Sequence, residues 1–141
     1  MDVSQRTVLV VEDSPLFRKM VGEFLHALRI TRIQEASNGR SALEQLAQSR
    51  PDLVCLDLTL PDVSGYDVCE YIRGQPELAG LPVLMISARG TLLDRAQAEE
   101  VGADGYLTKP FTQEEFVQQV LRLLARAEAA ASGGKSDVRT S

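Results

Sequence analysis

Short apolar runs alternate with helical patterns from one end of the chain to the other. The runs cover residues 8–11, a weaker 32–36, 53–56, 83–86 and a short 105–107. The first, third and fourth are almost wholly apolar and rich in β-branched residues, the pattern of strands buried on both faces. Between them lie amphipathic stretches. Leu16, Phe17, Met20, Val21, Phe24, Leu25 and Leu28 recur at helical spacing and predict one apolar stripe. Ala42, Leu43, Leu46 and Ala47 repeat this more briefly, and Phe116, Val117, Val120, Leu121 and Leu124 do so near the end. The stretch over 92–101 carries only a thin stripe and is the weakest of the predicted helices.

Punctuation falls at the same boundaries. Ser14-Pro15 opens the first helix with proline at its first position. Arg50-Pro51 and Leu81-Pro82 each precede a strand, and Gly102 stands where a helix terminator belongs. Thr112 with Glu115 reads as a capping box before the last helix. Five such βα units predict an α/β fold, a parallel sheet covered on both sides by helices and joined by right-handed crossovers. Residues 1–126 form one domain in this reading. Residues 127–141 pass from an Ala-rich helix end into a Ser/Gly-rich flexible tail, or the root of a linker.

Composition narrows the function classes. A net charge of −5, with both signs interleaved, argues against a nucleic-acid surface, which demands a basic face. No apolar run approaches a membrane span, and no signal-peptide layout opens the chain. Cys55 and Cys69 form no disulfide framework, and neither has a partner at metal-ligand spacing, so a reducing, cytoplasmic setting is expected. His26, the single histidine, falls off the apolar stripe and reads as a solvated side chain.

Doubly wound sheets bind ligands beyond the carboxyl ends of their strands. The first strand ends in Glu12-Asp13, the third in Asp57 and the fourth in Ser87, while Lys109-Pro110 follows the fifth. Carboxylates gathered at close range repel one another, and a hard divalent cation such as Mg²⁺ relieves that repulsion. Carboxylate nucleophiles form aspartyl-phosphates, and phosphoryl transfer asks mainly for positioning and charge neutralisation. Lys109 suits the second task as a point charge on phosphate. Singly, each residue has a plainer reading: a strand-end Asp caps helices, a Ser does likewise, and a Lys is a solvated charge. Their joint fall at strand ends, in the order the topology needs, favours the chemical reading.

At this point the chain strongly resembles the CheY-like receiver domain of two-component response regulators. The resemblance rests on Val8-Leu9-Val10-Val11-Glu12-Asp13-Ser14-Pro15, on Leu56-Asp57-Leu58-Thr59-Leu60-Pro61-Asp62-Val63-Ser64-Gly65, on Ser87-Ala88 and on Lys109-Pro110-Phe111. It extends over residues 8–124. It implies a flavodoxin-like sheet ordered 2-1-3-4-5 with five helices. It also implies that Asp57 accepts a phosphoryl group from the phosphohistidine of a sensor histidine kinase or phosphotransfer protein. Asp13 and Asp57 would contact Mg²⁺ directly, Glu12 through water, and Thr59 through its backbone carbonyl. Lys109 would contact the phosphoryl oxygens, Ser87 would hydrogen-bond them, and Lys109-Pro110 would be cis. Tyr106 matches the switch aromatic, whose ring turns inward as Ser87 moves toward phosphate. The fourth helix, fifth strand and fifth helix would then form the readout surface for a downstream protein. The plainer reading of Tyr106 is a half-buried strand tyrosine.

Thr59 and Arg89 stand two residues after the acceptor and the hydroxyl, and the resemblance implies that side chains there tune access of water to the acyl phosphate. Arg89, Leu92 and Leu93 form a mixed apolar and basic edge, either partner surface or a loose helix with scattered leucines. No helix-turn-helix pattern or basic recognition helix follows Leu124, so a stand-alone receiver signalling by protein contact is expected, without direct nucleic-acid or membrane binding. Alternatives are a receiver that binds partners without phosphorylation, and a receiver fragment of a larger regulator. A phosphatase of the haloacid dehalogenase type would need a second Asp two residues after the nucleophile, where Thr59 stands. Turnover of a simple phosphate ester is therefore not expected.

Overall fold

In the computed structural model the chain is described over residues 2–140, the side chains of 132–140 excepted. The elements run β1 (Thr7–Val11), α1 (Pro15–His26), β2 (Arg32–Ala36), α2 (Gly39–Gln48), β3 (Leu53–Asp57), α3 (Gly65–Gly74), β4 (Val83–Ser87), α4 (Leu92–Glu100), β5 (Gly105–Thr108) and α5 (Gln113–Thr140). The flexible tail expected over 127–141 falls mostly on side chains outside this description.

All strand pairs are parallel, in the order β2-β1-β3-β4-β5. Alternation along the strands divides the core between the two faces. Val8, Val10 and Cys55 pack with α1 and α5, while Leu9, Val11, Val54 and Leu56 pack with α2 and α3. β3 and β4 are buried at every position, whereas β2, an edge strand, keeps only Ala36 buried. Its weaker apolar signal follows from that place. The thiols of Cys55 and Cys69 are buried on opposite faces, which pushes them up to about 12 and about 11 and leaves them inert, as small apolar groups.

The expected caps are present. Ser14 Oγ accepts from Phe17 N at 3.2 Å. Thr112 and Glu115 bond reciprocally, at 2.8 and 3.1 Å. Gly102, at φ 98°, closes α4: its N–H donates to Glu99 O at 3.0 Å and Ala103 N donates to Ala98 O at 2.9 Å. One member of the predicted α1 stripe is misplaced. Leu16 is 80% exposed, because five residues before buried Val21 lies about 140° around a helix. Ala47 likewise faces solvent on α2.

The chain leaves α1 by the same type of turn, but with Arg29 at φ 63°. Arg29 N donates to His26 O at 2.8 Å and Ile30 N to Leu25 O at 3.2 Å, with Ile30 and Leu25 both buried. A side chain in this left-handed conformation is strained. Arg29→Gly is expected to raise stability by about 0.5–1 kcal/mol in urea unfolding, after allowance for the looser unfolded chain.

Two long-range polar contacts brace the far side of the sheet. Arg73 on α3 donates to Gly102 O through Nε and Nη2, at 2.9 and 2.7 Å, and to Asp104 Oδ2 at 2.7 Å. Its Nη1 reaches Ala79 O and Leu81 O at 2.9 and 2.7 Å. Arg6, just before β1, donates to Glu128 Oε2 on α5 at 3.1 Å.

Candidate functional site

The carboxyl ends of β1, β3 and β5 meet at one rim. Leu58 N donates to Ile86 O at 2.9 Å and Lys109 N to Ser87 O at 2.7 Å, which laces the ends of β3, β4 and β5 together. Close backbone approach is needed here. A Cβ on Gly65 would lie 2.5 Å from Asp57 O and 2.8 Å from Leu58 Cα, so only glycine lets α3 begin against the end of β3.

Glu12, Asp13 and Asp57 each offer a carboxylate oxygen, all within 4.8 Å of one another. Glu12 and Asp57 are buried, and Asp13 is exposed. Lys109 Nζ donates to Glu12 Oε1 at 2.8 Å and to Asp57 Oδ2 at 2.9 Å, joining residues 97 and 52 positions away. The acidic groups and the lysine expected to share a crevice do so. The Lys109-Pro110 bond is cis, as the resemblance implied.

Two carboxylates facing one ammonium leave surplus negative charge. Burial pushes Glu12 up to about 7, against the pull of Lys109 and of Ser14 N–H, and the Asp57 charge adds to the rise. Burial works against the Lys109 charge, but its bonds to Glu12 and Asp57 outweigh that, so Lys109 titrates above the ordinary lysine range. Clustered hard oxygen ligands with one member short of ionisation fit a divalent cation, which would relieve the surplus.

A pH dependence follows. Folded Glu12 holds its proton up to about 7, well above the ordinary 4.5. The stability this contributes is complete below the ordinary value and is lost as pH rises through about 7. Without divalent cations, the unfolding free energy from urea titrations is expected to fall between pH 5 and 7 by up to about 1.4 kcal/mol per pH unit. Glu12→Gln should flatten that slope. The Lys109 contribution lies in the alkaline range, outside this window.

Thr59 and Ser87 stand beside this centre, at the ends of β3 and β4. Thr59 is exposed, and its N–H donates to Asp57 Oδ1 at 2.9 Å. Ser87 is fully buried, with Oγ accepting from Arg89 N at 2.9 Å. Tyr106 is half-buried, its hydroxyl donating to Arg89 O, with the Arg95 guanidinium 5.0 Å from its ring centroid. Ser87 and Tyr106 therefore meet through the two ends of one residue of the β4–α4 loop. Arg89 also pairs with Asp94 at 3.2 Å, and Leu92 and Leu93 beside it are 85% and 78% exposed. His26 is exposed, as expected.

Sequence reasoning missed several supports of the rim. Arg18 Nη1 donates to Glu12 O at 2.6 Å while its Nε reaches Glu35 Oε1 at 3.0 Å. Asp62 accepts from Gly39 N and Arg40 N at 2.8 and 2.9 Å, so the loop after Asp57 caps α2. Lys109 Nζ stands over the Phe17 ring, 4.2 Å from its centroid. None of these pairs has a local signature, since each joins residues on different elements.

Comparison with known proteins agrees with this geometry. Residues 8–121 match the family described as the response regulator receiver domain. RpaA of Synechocystis sp., a DNA-binding dual master transcriptional regulator, is 37% identical over 128 residues, 91% of this chain and 53% of its own. The transcriptional regulatory protein KdpE of Mycobacterium tuberculosis is 41% identical over 130 residues, 88% of this chain and 53% of its own. The chain thus spans about half the length of the curated relatives it matches. Among solved structures, the chemotaxis response regulator CheY4 of Vibrio cholerae superposes with a TM-score of 0.79 at 29% identity, over 84% of this chain and 98% of that one. The BeF3-activated receiver domain of DrrB, an OmpR/PhoB homologue of Thermotoga maritima, gives 0.76 at 30% identity, over 85% and 97%.

Proposed function

The chain belongs to the response regulator receiver-domain family of two-component systems, and from that premise we propose that Asp57 is its phosphoacceptor. The observation that carries this reading is the Lys109 ammonium bridging Glu12 and Asp57 at 2.8 and 2.9 Å. It puts a fixed positive charge beside a buried nucleophilic carboxylate. The donor is the phosphohistidine of a sensor histidine kinase or phosphotransfer protein. An Asp57 carboxylate oxygen forms the new bond to phosphorus as the phosphorus–nitrogen bond breaks, and the imidazole keeps the electron pair. Lys109 turns from the carboxylates to the phosphoryl oxygens and holds their charge.

Asp13 and Asp57, the Thr59 carbonyl and, through water, Glu12 would hold Mg²⁺. When bound, it neutralises charge shared by the carboxylates and the phosphoryl group. Ser87 then donates a hydrogen bond to a phosphoryl oxygen. Its Oγ accepts from Arg89 N, so its rearrangement moves the loop that also accepts the Tyr106 hydroxyl. This couples the site to α4, β5 and α5, the surface offered to a downstream protein. The domain is a signalling module of the cytoplasm that turns over no independent substrate.

Whether that surface acts alone or drives an attached output region divides two readings. The twofold length of the relatives named as transcriptional regulators favours the second. Nucleic-acid contact would then belong to the attached region, and the acidic receiver would serve as its input.

Incubation with a small acyl-phosphate donor and Mg²⁺, followed by intact mass, tests the reading. One added phosphoryl group is expected, with no turnover of a generic phosphate ester. Absence of any adduct with Mg²⁺ present would overturn it.

A further inference from the structure

Lys109 carries three N–H donors on a long flexible stem. Its side chain is 20% exposed. Bonds to Glu12 and Asp57 hold it on one side. On another stands the Phe17 ring, its centroid 4.2 Å from Nζ. The negative face of an aromatic ring attracts a cation without occupying one of its strong donors.

Phe17 is not free to turn. Its ring meets Phe111 edge to face, with centroids 5.5 Å apart and planes at 74°. Phe111 stacks on Phe116 at 5.8 Å and 17°, and Phe24 closes the cluster at 6.4 Å from Phe111 and 5.9 Å from Phe116. Phe116 is fully buried. One short turn of chain, Lys109-Pro110-Phe111, therefore presents both the ammonium and the ring that orients Phe17.

We propose that Phe17 is a positioning residue for phosphoryl transfer: its ring face backs the Lys109 ammonium and confines it to the Asp57 side of the rim. When phosphate arrives, Lys109 exchanges carboxylate oxygens for phosphoryl oxygens, and the ring keeps it close during the exchange. The role in transfer rests on Asp57 being the acceptor, whereas the contact itself does not. An apolar residue of similar size at position 17 would fill the same space and leave the ammonium free to swing outward.

Phe17→Leu keeps the apolar bulk and removes the π face, and Phe17→Tyr restores it. In NMR spectra of the unphosphorylated, cation-free protein, ring current should move the Lys109 ε-methylene protons upfield in the wild type and in Phe17→Tyr. They should return to the ordinary lysine position in Phe17→Leu. With an acyl-phosphate donor, Phe17→Leu should react about three- to tenfold more slowly, and Phe17→Tyr at nearly the wild-type rate. In a Lys109→Met background, Phe17→Leu should add no further loss.

An equal loss in that background would overturn the proposal, because the ring would then act on something other than Lys109. So would Lys109 protons indifferent to Phe17→Leu. If even the wild type takes up no phosphate, the acceptor reading fails and the role in transfer with it. The NMR result, read before any phosphorylation, shows separately whether the ring holds the ammonium.

Discussion

Asp57→Asn is expected to end phosphate uptake on this protein completely, with the wild-type acyl phosphate identified by its reaction with hydroxylamine. The amide has nearly the shape of the carboxylate but lacks its nucleophilic charge. It also cannot satisfy the donors around it. Thr59 N–H donates to one carboxylate oxygen at 2.9 Å and Lys109 to the other at 2.9 Å. An amide offers one oxygen and turns an NH₂ toward whichever donor remains. The mismatch costs about 1–3 kcal/mol. In part it is offset, because the Asp57 charge and hydrogen bond help hold Glu12 high and their removal lets Glu12 ionise more easily. A modest fall in thermal midpoint is therefore expected beside a total loss of adduct. Phosphate retained on Asp57→Asn would place the acceptor elsewhere.

Much of this site was legible in the chain because it is built on strand ends. Val8–Val11, Leu53–Leu56 and Val83–Ile86 announce buried parallel strands by composition alone. A sheet of known order brings the residues that follow them to one rim, so Glu12, Asp13, Asp57 and Lys109 could be grouped before any coordinates. What escaped is what depends on side chains crossing between elements. Leu16 looked like stripe and proved exposed, because apolar spacing alone does not show that it lies about 140° around the helix from buried Val21. Phe17, assigned only to the core, also faces Lys109. Arg73 is an unremarkable residue in the last turn of α3 until the turns after it fold back around its guanidinium.

Arg73→Ala is expected to be the most damaging of the substitutions away from the rim. Its guanidinium serves four acceptors, the carbonyls of Ala79, Leu81 and Gly102 and the Asp104 carboxylate. Asp104 Oδ2 in turn accepts from Val83 N at 2.9 Å, at the first residue of β4. Alanine would strand these acceptors around a cavity. Partial exposure lets water replace some of the bonds, which limits the loss to about 2–4 kcal/mol. For a domain of this size that corresponds to a thermal midpoint lower by roughly 10 °C. Arg73→Lys should recover under half of it, since one ammonium cannot reach acceptors spread across a planar fork. Phosphorylation by a small donor at low temperature should be unchanged, because Arg73 touches no residue of the acidic rim. A wild-type midpoint in Arg73→Ala would show that the cluster of bonds adds nothing to stability.

The Arg6–Glu128 pair has a bearing on how such a module can be joined to others. It fastens the approach to β1 and the middle of α5 side by side at the pole where the strands start. Polypeptide fused before β1, or carried onward by α5, departs from the end of the molecule opposite Asp57. A docking kinase would find its approach unobstructed by such a fusion, and news of modification would have to cross the full height of the sheet to reach it.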